Sequence, residues 1–268
     1  MEAILKIKDL TKRFGGVVAV DDVSIVVKEE EIKGLIGPNG AGKTTLLNLI
    51  SGVYQPTKGR IYFSGQDITE ESASARAGLR IGRTFQQPQL FGEMTALENV
   101  ALGQYARTRI GFLGGGLGPG NNFRKNLQAL RQTSTETMEL VGLQNVSDVQ
   151  CGGLPYGQKK ILEIARAMGC RPRLLLLDEP AAGLNYSEVD QVNQLILKIH
   201  SMGISVLLIE HNMRLVMKVC HNLTVLDFGR VIAQGTPDEI RPNERVQEAY
   251  LGKGTRRDSR WRRGDANT

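Results

Sequence analysis

No apolar run in the 268-residue sequence approaches the roughly 18 residues that a membrane-spanning helix needs, and the longest, such as Leu174–Leu177, stop far short. The first residues, Met1–Leu10, mix charged with apolar side chains and contain no signal-peptide core. These absences lead to the expectation of a soluble protein of the cytoplasm. Cysteine is scarce. Cys151, Cys170 and Cys220 are widely spaced and form no Cys-x-x-Cys pair, which points to small buried or half-buried thiols rather than metal or redox chemistry. Also missing is a general excess of positive charge. The net charge is +6, but Lys253, Arg256, Arg257, Arg260, Arg262 and Arg263 crowd one tail segment against Asp258 alone. Without that tail the chain is near neutral, so no nucleic-acid partner is expected. The tail itself, 253–268, reads as a solvated, disordered terminus; the other reading is attraction to anionic lipid headgroups, with Trp261 at the interface.

What is present suits a folded α/β protein. Hydrophobic residues make up 41% and charged residues 23% of the chain, enough for a sizeable core. Short β-type runs fill the first third, at Ile4–Ile7, Val17–Ala19, Val23–Val27 and Arg60–Phe63. Among them Ile32–Gly37 predicts a strand that enters a glycine-rich loop. From Thr44 the apolar residues Leu46, Leu47, Leu49 and Ile50 take helical spacing and stop at Gly52. The middle is helical in character, at Ala96–Arg107, Arg124–Leu143 and Lys159–Met168, with a glycine-rich loop at Gly111–Gly120. After Cys170, Leu174–Leu177 and Ser205–Ile209 read as fully buried parallel strands. Between them Ser187–Met202 predicts a crossover helix with Val189, Val192, Leu195, Ile196 and Ile199 on one face. Leu223–Leu226 and Arg230–Ala233 form a hairpin about Asp227–Gly229. No internal repeat is visible. The layout is an α/β core interrupted by a helical insert.

Two stretches carry chemistry. Gly37-Pro38-Asn39-Gly40-Ala41-Gly42-Lys43-Thr44 matches the phosphate-loop pattern Gly-x-x-x-x-Gly-Lys-[Ser/Thr] in full. Its glycines let successive N–H groups converge on phosphate oxygens, and the following helix adds its N-terminal dipole. Lys43 is placed to reach the β- and γ-phosphates, and the Thr44 hydroxyl to ligate Mg²⁺. Such a loop serves kinases, GTPases, motors and transporters alike. The second stretch, the leucine run before Asp178-Glu179, is a buried strand ending in two carboxylates. Asp178 suits Mg²⁺, and Glu179 suits the polarising of an attacking water. His211 directly follows Ser205–Ile209, a strand expected beside Leu174–Leu177. It then shares a sheet edge with the phosphate loop and could sense the γ-phosphate.

These motifs, with several others, resemble the ATP-binding-cassette (ABC) family over about residues 3–251. Leu154-Pro155-Tyr156-Gly157-Gln158 is similar to that family's signature, usually Leu-Ser-Gly-Gly-Gln. Phe85-Gln86-Gln87 resembles the Q-loop, which implies that Gln86 contacts Mg²⁺. Phe14 resembles the aromatic residue that stacks on adenine, and Thr45 joins Gly37–Thr44 in the implied ATP-binding set. Ala181-Ala182-Gly183-Leu184-Asn185 resembles the D-loop, and His211 the switch histidine. The implied fold class is a P-loop NTPase core with a parallel sheet, an N-terminal antiparallel β part and an inserted helical subdomain. The expected limits are one domain over 1–252, its core at 1–87 and 171–252 and its helical subdomain at about 88–170. Two residues depart from the family pattern. Pro155 stands in place of the signature serine, leaving backbone N–H groups of Gly157 and Gln158 to bind the partner's γ-phosphate, and Asn185 stands where the D-loop usually has Asp.

The resemblance implies an ATPase, using ATP and Mg²⁺, whose catalytic residues are Lys43, Glu179 and His211. The signature of one subunit completes the site of another in a head-to-tail dimer. Met94-Thr95-Ala96-Leu97-Glu98-Asn99-Val100, Leu154–Gln158, Leu162–Ala167 and Ala249–Gly252 are similar to the high-affinity branched-chain amino-acid importers of prokaryotes. The insert at Gly111–Gly120 resembles the longer of their two ATPases. The implied partners are two permease subunits, a second paralogous ATPase and, indirectly, an extracytoplasmic solute-binding protein. The implied place is the cytoplasmic face of the inner or plasma membrane. Related importers for urea or short amides, a lipopolysaccharide-export ATPase and a soluble non-transport ABC ATPase remain as alternatives.

Overall fold

A computed structural model describes residues 2–104 and 120–251. The stretch 105–119, which holds most of the glycine-rich loop, and the basic tail from 252 onward lie outside the described residues. The chain divides into two units, residues 1–73 with 196–268 and residues 74–195.

The first unit begins with two long strands, β1 (Ala3–Phe14) and β2 (Val17–Lys28). Each outruns the short runs expected from sequence, because antiparallel pairing carries both strands through their charged residues. Leu5, Ile7, Leu10, Val23, Ile25 and Val27 turn inward, while Lys6 and Lys8 face solvent. Bulges at Asp9 and Asp22, both with positive φ, break the strict alternation and let the pairing resume. Next come β3 (Ile32–Ile36), α1 (Lys43–Ile50), β4 (Lys58–Phe63) and the short β5 (Gln66–Asp67). The antiparallel sheet has the order β2-β1-β4-β5.

The second unit opens within α2 (Ala73–Gly78) and holds β6 (Ile81–Arg83), α3 (Ala96–Gly103), α4 (Gly120–Leu140), α5 (Tyr156–Met168) and β7 (Leu174–Asp178). Neither α2 nor β6 is legible in the sequence. β6 has only three residues, too few to show a period, and gains its conformation by pairing parallel to β7 (Ile81↔Leu174, Arg83↔Leu176). Thr95 opens α3 with a reciprocal capping box to Glu98. The Gln104 amide ties the end of α3 to α4 by donating to Leu130 O at 3.0 Å and Ser134 Oγ at 2.7 Å. Every residue of β7 is buried, and each buried leucine there contributes about 2 kcal/mol of apolar transfer.

α6 (Tyr186–His200) leads back into the first unit. Val189, Val192, Leu195, Ile196 and Ile199 are all buried, as their spacing predicts. There follow β8 (Ser205–Ile209), α7 (Met213–Val219), β9 (Asn222–Asp227), β10 (Arg230–Gly235), α8 (Pro237–Ile240) and α9 (Glu244–Leu251). β3 lies between β8 and β9, parallel to both, and β10 pairs antiparallel to β9. The result is an antiparallel N-terminal sheet, a mixed but mainly parallel sheet, and helical parts. Cys151, Cys170 and Cys220 are buried free thiols, and burial pushes the Cys220 thiol up to about 12. Among the described residues no helix is long and apolar enough to cross a membrane.

Candidate functional site

In the first unit β3 is buried along its whole length and delivers the chain to Gly37. Two glycines there are obligatory. A Cβ on Gly37 would stand 2.1 Å from the main-chain oxygen of Leu226. One on Gly42, whose φ is +97°, would stand 2.4 Å from Ala19 O. The loop is therefore wrapped against β2 and the β9–β10 turn, where Gly229 N donates to Ala41 O at 3.0 Å. Lys43 is buried, and its ammonium donates to Gly37 O at 2.7 Å and Pro38 O at 2.9 Å. This holds a positive charge within the curl of the loop. Thr44 and Thr45 lie in the first turn of α1, where backbone N–H groups have no acceptor within the helix. Those N–H groups and the helix dipole form an anion seat of the kind that binds phosphate.

Phe14, at the end of β1, is 42% exposed. Tyr54, which the sequence reading missed, meets it edge-on with centroids 5.2 Å apart. The Lys12 ammonium lies 5.0 Å from the Phe14 centroid and 5.8 Å from that of Tyr54. His211 follows β8, which pairs with β3 (Leu35↔Ile209), so His211 and the phosphate loop leave the sheet at the same edge. The imidazole is exposed. Its backbone is fixed by buried Glu210, whose Oε2 accepts from His211 N at 3.1 Å and Asn212 N at 3.2 Å.

The second unit brings Gln86, Asp178 and Glu179 together. Asp178, the last residue of β7, is 2% exposed. Its N–H donates to Thr84 Oγ1 at 3.2 Å, and its Oδ2 lies 3.6 Å from Arg83 Nη2. Burial raises the Asp178 carboxyl above the usual carboxylate range; Arg83 opposes this and the charge of Glu179 adds to it. Its Oδ1 is buried and has no hydrogen-bond partner among the described residues. An oxygen of that kind fits a cation ligand. Glu179 adopts a left-handed backbone, φ 48°, a conformation that strains a residue with a side chain. Its Oε2 accepts from the Gln86 amide at 2.9 Å. From α5, the buried Lys160 donates to both Gln86 O at 2.5 Å and Glu179 O at 3.0 Å.

Leu154–Gln158 forms the start of α5. The helix begins at Tyr156, three residues before the predicted Lys159, with Pro155 as its N-cap and no side-chain cap bond. The first bond of the turn runs from Lys159 N to Pro155 O at 3.0 Å, so the N–H groups of Tyr156, Gly157 and Gln158 have no acceptor within the helix. The missing serine thus leaves a helix terminus built of backbone alone. Asn185 caps α6. Its Oδ1 accepts from Ser187 Oγ at 2.7 Å and Glu188 N at 3.1 Å, and its own N–H donates to Glu188 Oε2 at 2.9 Å. An aspartate there would accept the same two bonds.

A family model described as ABC transporter matches residues 20–182, the span that runs from the phosphate loop through Asp178 and Glu179. The chain belongs to the ABC transporter family. It is an ATP-binding cassette, and it hydrolyses ATP to drive transport. A second model, for branched-chain amino acid ATP-binding cassette transporters, matches residues 230–255. The high-affinity branched-chain amino acid transport ATP-binding protein BraF of Pseudomonas aeruginosa is 44% identical over 251 residues, which is 93% of this chain and 98% of that protein. The corresponding LivG of Escherichia coli is 40% identical over 253 residues, 94% of this chain and 99% of its own length. Among solved structures, a nucleotide-free ATP-binding cassette from an ABC transporter superposes with TM-score 0.81 at 32% identity, covering 94% of this chain and all 100% of that one. A dimeric post-hydrolysis cassette bound to ADP and Pi superposes with TM-score 0.73 at 27% identity, covering 87% of this chain and 98% of its own.

Proposed function

We propose that this chain powers the uptake of branched-chain amino acids. It works at the cytoplasmic face of a prokaryotic membrane, bound to two permease subunits and paired head to tail with a second, paralogous ATPase. An extracytoplasmic solute-binding protein brings the solute. ATP chemistry is common to ABC cassettes and does not choose among solutes. The observation that carries the reading is the C-terminal segment 230–255, which resembles the branched-chain group in particular. Its described part is β10, α8 and α9.

Each site residue then has a role. The N–H groups of Gly37, Asn39, Gly40, Ala41, Gly42, Thr44 and Thr45 surround the phosphates, and Pro38, which has no N–H, lines the loop with its ring. Lys43 neutralises the β- and γ-phosphates, and Phe14 stacks on adenine. Thr44, Gln86 and Asp178 would hold Mg²⁺, which would supply charge neutralisation at the phosphates. Glu179 takes the proton of the attacking water as ATP and water become ADP and phosphate, and His211 senses the γ-phosphate. Leu154, Pro155, Tyr156, Gly157 and Gln158 face the partner's nucleotide, and Asn185 belongs to the contact between subunits. In this reading the ATPase domain spans 1–252, with the permease-facing helical subdomain at about 88–170.

Uptake measurements test the assignment. A strain lacking the gene should lose uptake of radiolabelled leucine, isoleucine and valine, regain it with the wild-type chain, and fail to regain it with Lys43→Ala. Unchanged branched-chain uptake in the deleted strain, with urea or amide uptake lost instead, overturns it.

A further inference from the structure

Buried lysines are uncommon, because an ammonium loses its hydration on entering the protein and needs strong acceptors in return. Lys160 is 2% exposed. Its acceptors are the main-chain oxygens of Gln86, at 2.5 Å, and Glu179, at 3.0 Å. The Gln86 side-chain amide in turn donates to Glu179 Oε2 at 2.9 Å. The three residues close a ring: Lys160 holds both main chains, and the two side chains meet across it. Glu179 O also accepts from Ala182 N at 3.1 Å, so the carbonyl is held from two sides while φ at Glu179 stays at 48°. The face of α5 that carries Lys160 continues the hold. Glu163 Oε1 accepts from Gln89 N at 3.1 Å, and the Arg166 guanidinium donates to Gln89 O. The ammonium lies 5.9 Å from the ring centroid of Tyr156, at the start of the same helix.

We propose that Lys160 is a positioning residue for ATP hydrolysis: from α5 it clamps the main chains of Gln86 and Glu179, so that the Glu179 carboxylate is held by the Gln86 amide in a strained but fixed orientation. This rests on the reading of Glu179 as the group that takes the water's proton. Lys160 touches no nucleotide in this scheme. Its effect passes through the backbone of Glu179, and geometry at that distance from the chemistry matters because a misplacement of about 1 Å costs about 100-fold in rate.

Three variants in the assembled transporter test the proposal. Lys160→Met keeps the stem and removes the donors. It should lower kcat for ATP hydrolysis between about tenfold and about 100-fold, while KM for ATP, binding of a fluorescent ATP analogue and the melting temperature stay near wild type. Lys160→Arg, which keeps a cation able to donate to two carbonyls, should recover most of the rate. Glu179→Gln serves as the reference and should abolish turnover. Wild-type kcat in Lys160→Met overturns the proposal. So does a parallel loss of rate, nucleotide binding and melting temperature in Lys160→Met that Lys160→Arg does not reverse, since that marks a role in folding only. Full turnover in Glu179→Gln would instead remove the underlying reading of Glu179, and the proposal with it.

Discussion

At the residue scale, Pro155 sets two small effects against each other. With serine there, α5 would gain a side-chain cap worth about 1 kcal/mol. Proline, however, restricts the unfolded chain, and its loss would cost about 0.4–1 kcal/mol. Pro155→Ser should therefore change stability by no more than about 0.6 kcal/mol, and thermal unfolding reads that directly. Its larger effect should be on association, because the new hydroxyl adds a donor beside the N–H groups of Tyr156, Gly157 and Gln158. The dimerisation constant with ATP should tighten, and analytical ultracentrifugation in a Glu179→Gln background measures it. Asp178 and Glu179 were legible in the sequence because a leucine run and two carboxylates have few other readings. Lys160 was not. On an amphipathic helix beside Lys159, a lysine reads as a solvated surface residue. Only the approach of two carbonyls from residues 86 and 179 makes it internal. Tyr54 and Glu210 escaped for the same reason, since each takes its meaning from a neighbour that folding supplies.

At the scale of the element, the phosphate loop was the most legible part of the chain. Its glycines answer local demands that the motif spells out, and the structure adds which atoms enforce them. Gly42→Ala would force a Cβ towards Ala19 O, 2.4 Å away, at φ +97°. The left-handed backbone alone costs about 1–3 kcal/mol, and the clash pushes the loop off β2. ATP affinity should fall by at least about tenfold, a loss of about 1.4 kcal/mol, together with a lower melting temperature; isothermal titration and differential scanning calorimetry check the two. The N-terminal strands were read less well than the buried core strands, of which Ser205–Ile209 matches β8 in full. β1 and β2 contain charged residues that interrupt any apolar run, and they become single long strands because each supplies the other's hydrogen bonds. The start of α5 was set three residues too late, since Pro155-Tyr156-Gly157 reads as a loop until the bond from Lys159 N to Pro155 O is seen.

For the whole molecule, the decisive question is what ATP does to association. A ligand bound jointly by two subunits favours the dimer in proportion to its concentration over its dissociation constant. Glu179→Gln should lower turnover at saturating ATP by about 100-fold or more, without weakening nucleotide binding. The unhydrolysed nucleotide should then hold this chain and its paralogous ATPase together, so that sedimentation of the two with ATP shows a dimer and sedimentation with ADP shows monomers. Monomers at saturating ATP, with both subunits present, contradict the shared-site arrangement. The α/β character, the helical insert and the place of each motif were legible in the order of the chain. The bounds of the two units, at residues 74 and 195, follow from where the packing is dense rather than from any local signal.

The closed ring around Lys160 also makes that amine a built-in chemical reporter. Acylation of a lysine needs its neutral amine to attack the reagent from solvent, and at 2% exposure with its protons committed to two carbonyls Lys160 offers no such amine. Its labelling therefore keeps time with the opening of the ring, whereas the exposed Lys58 and Lys28 react whether it is open or shut.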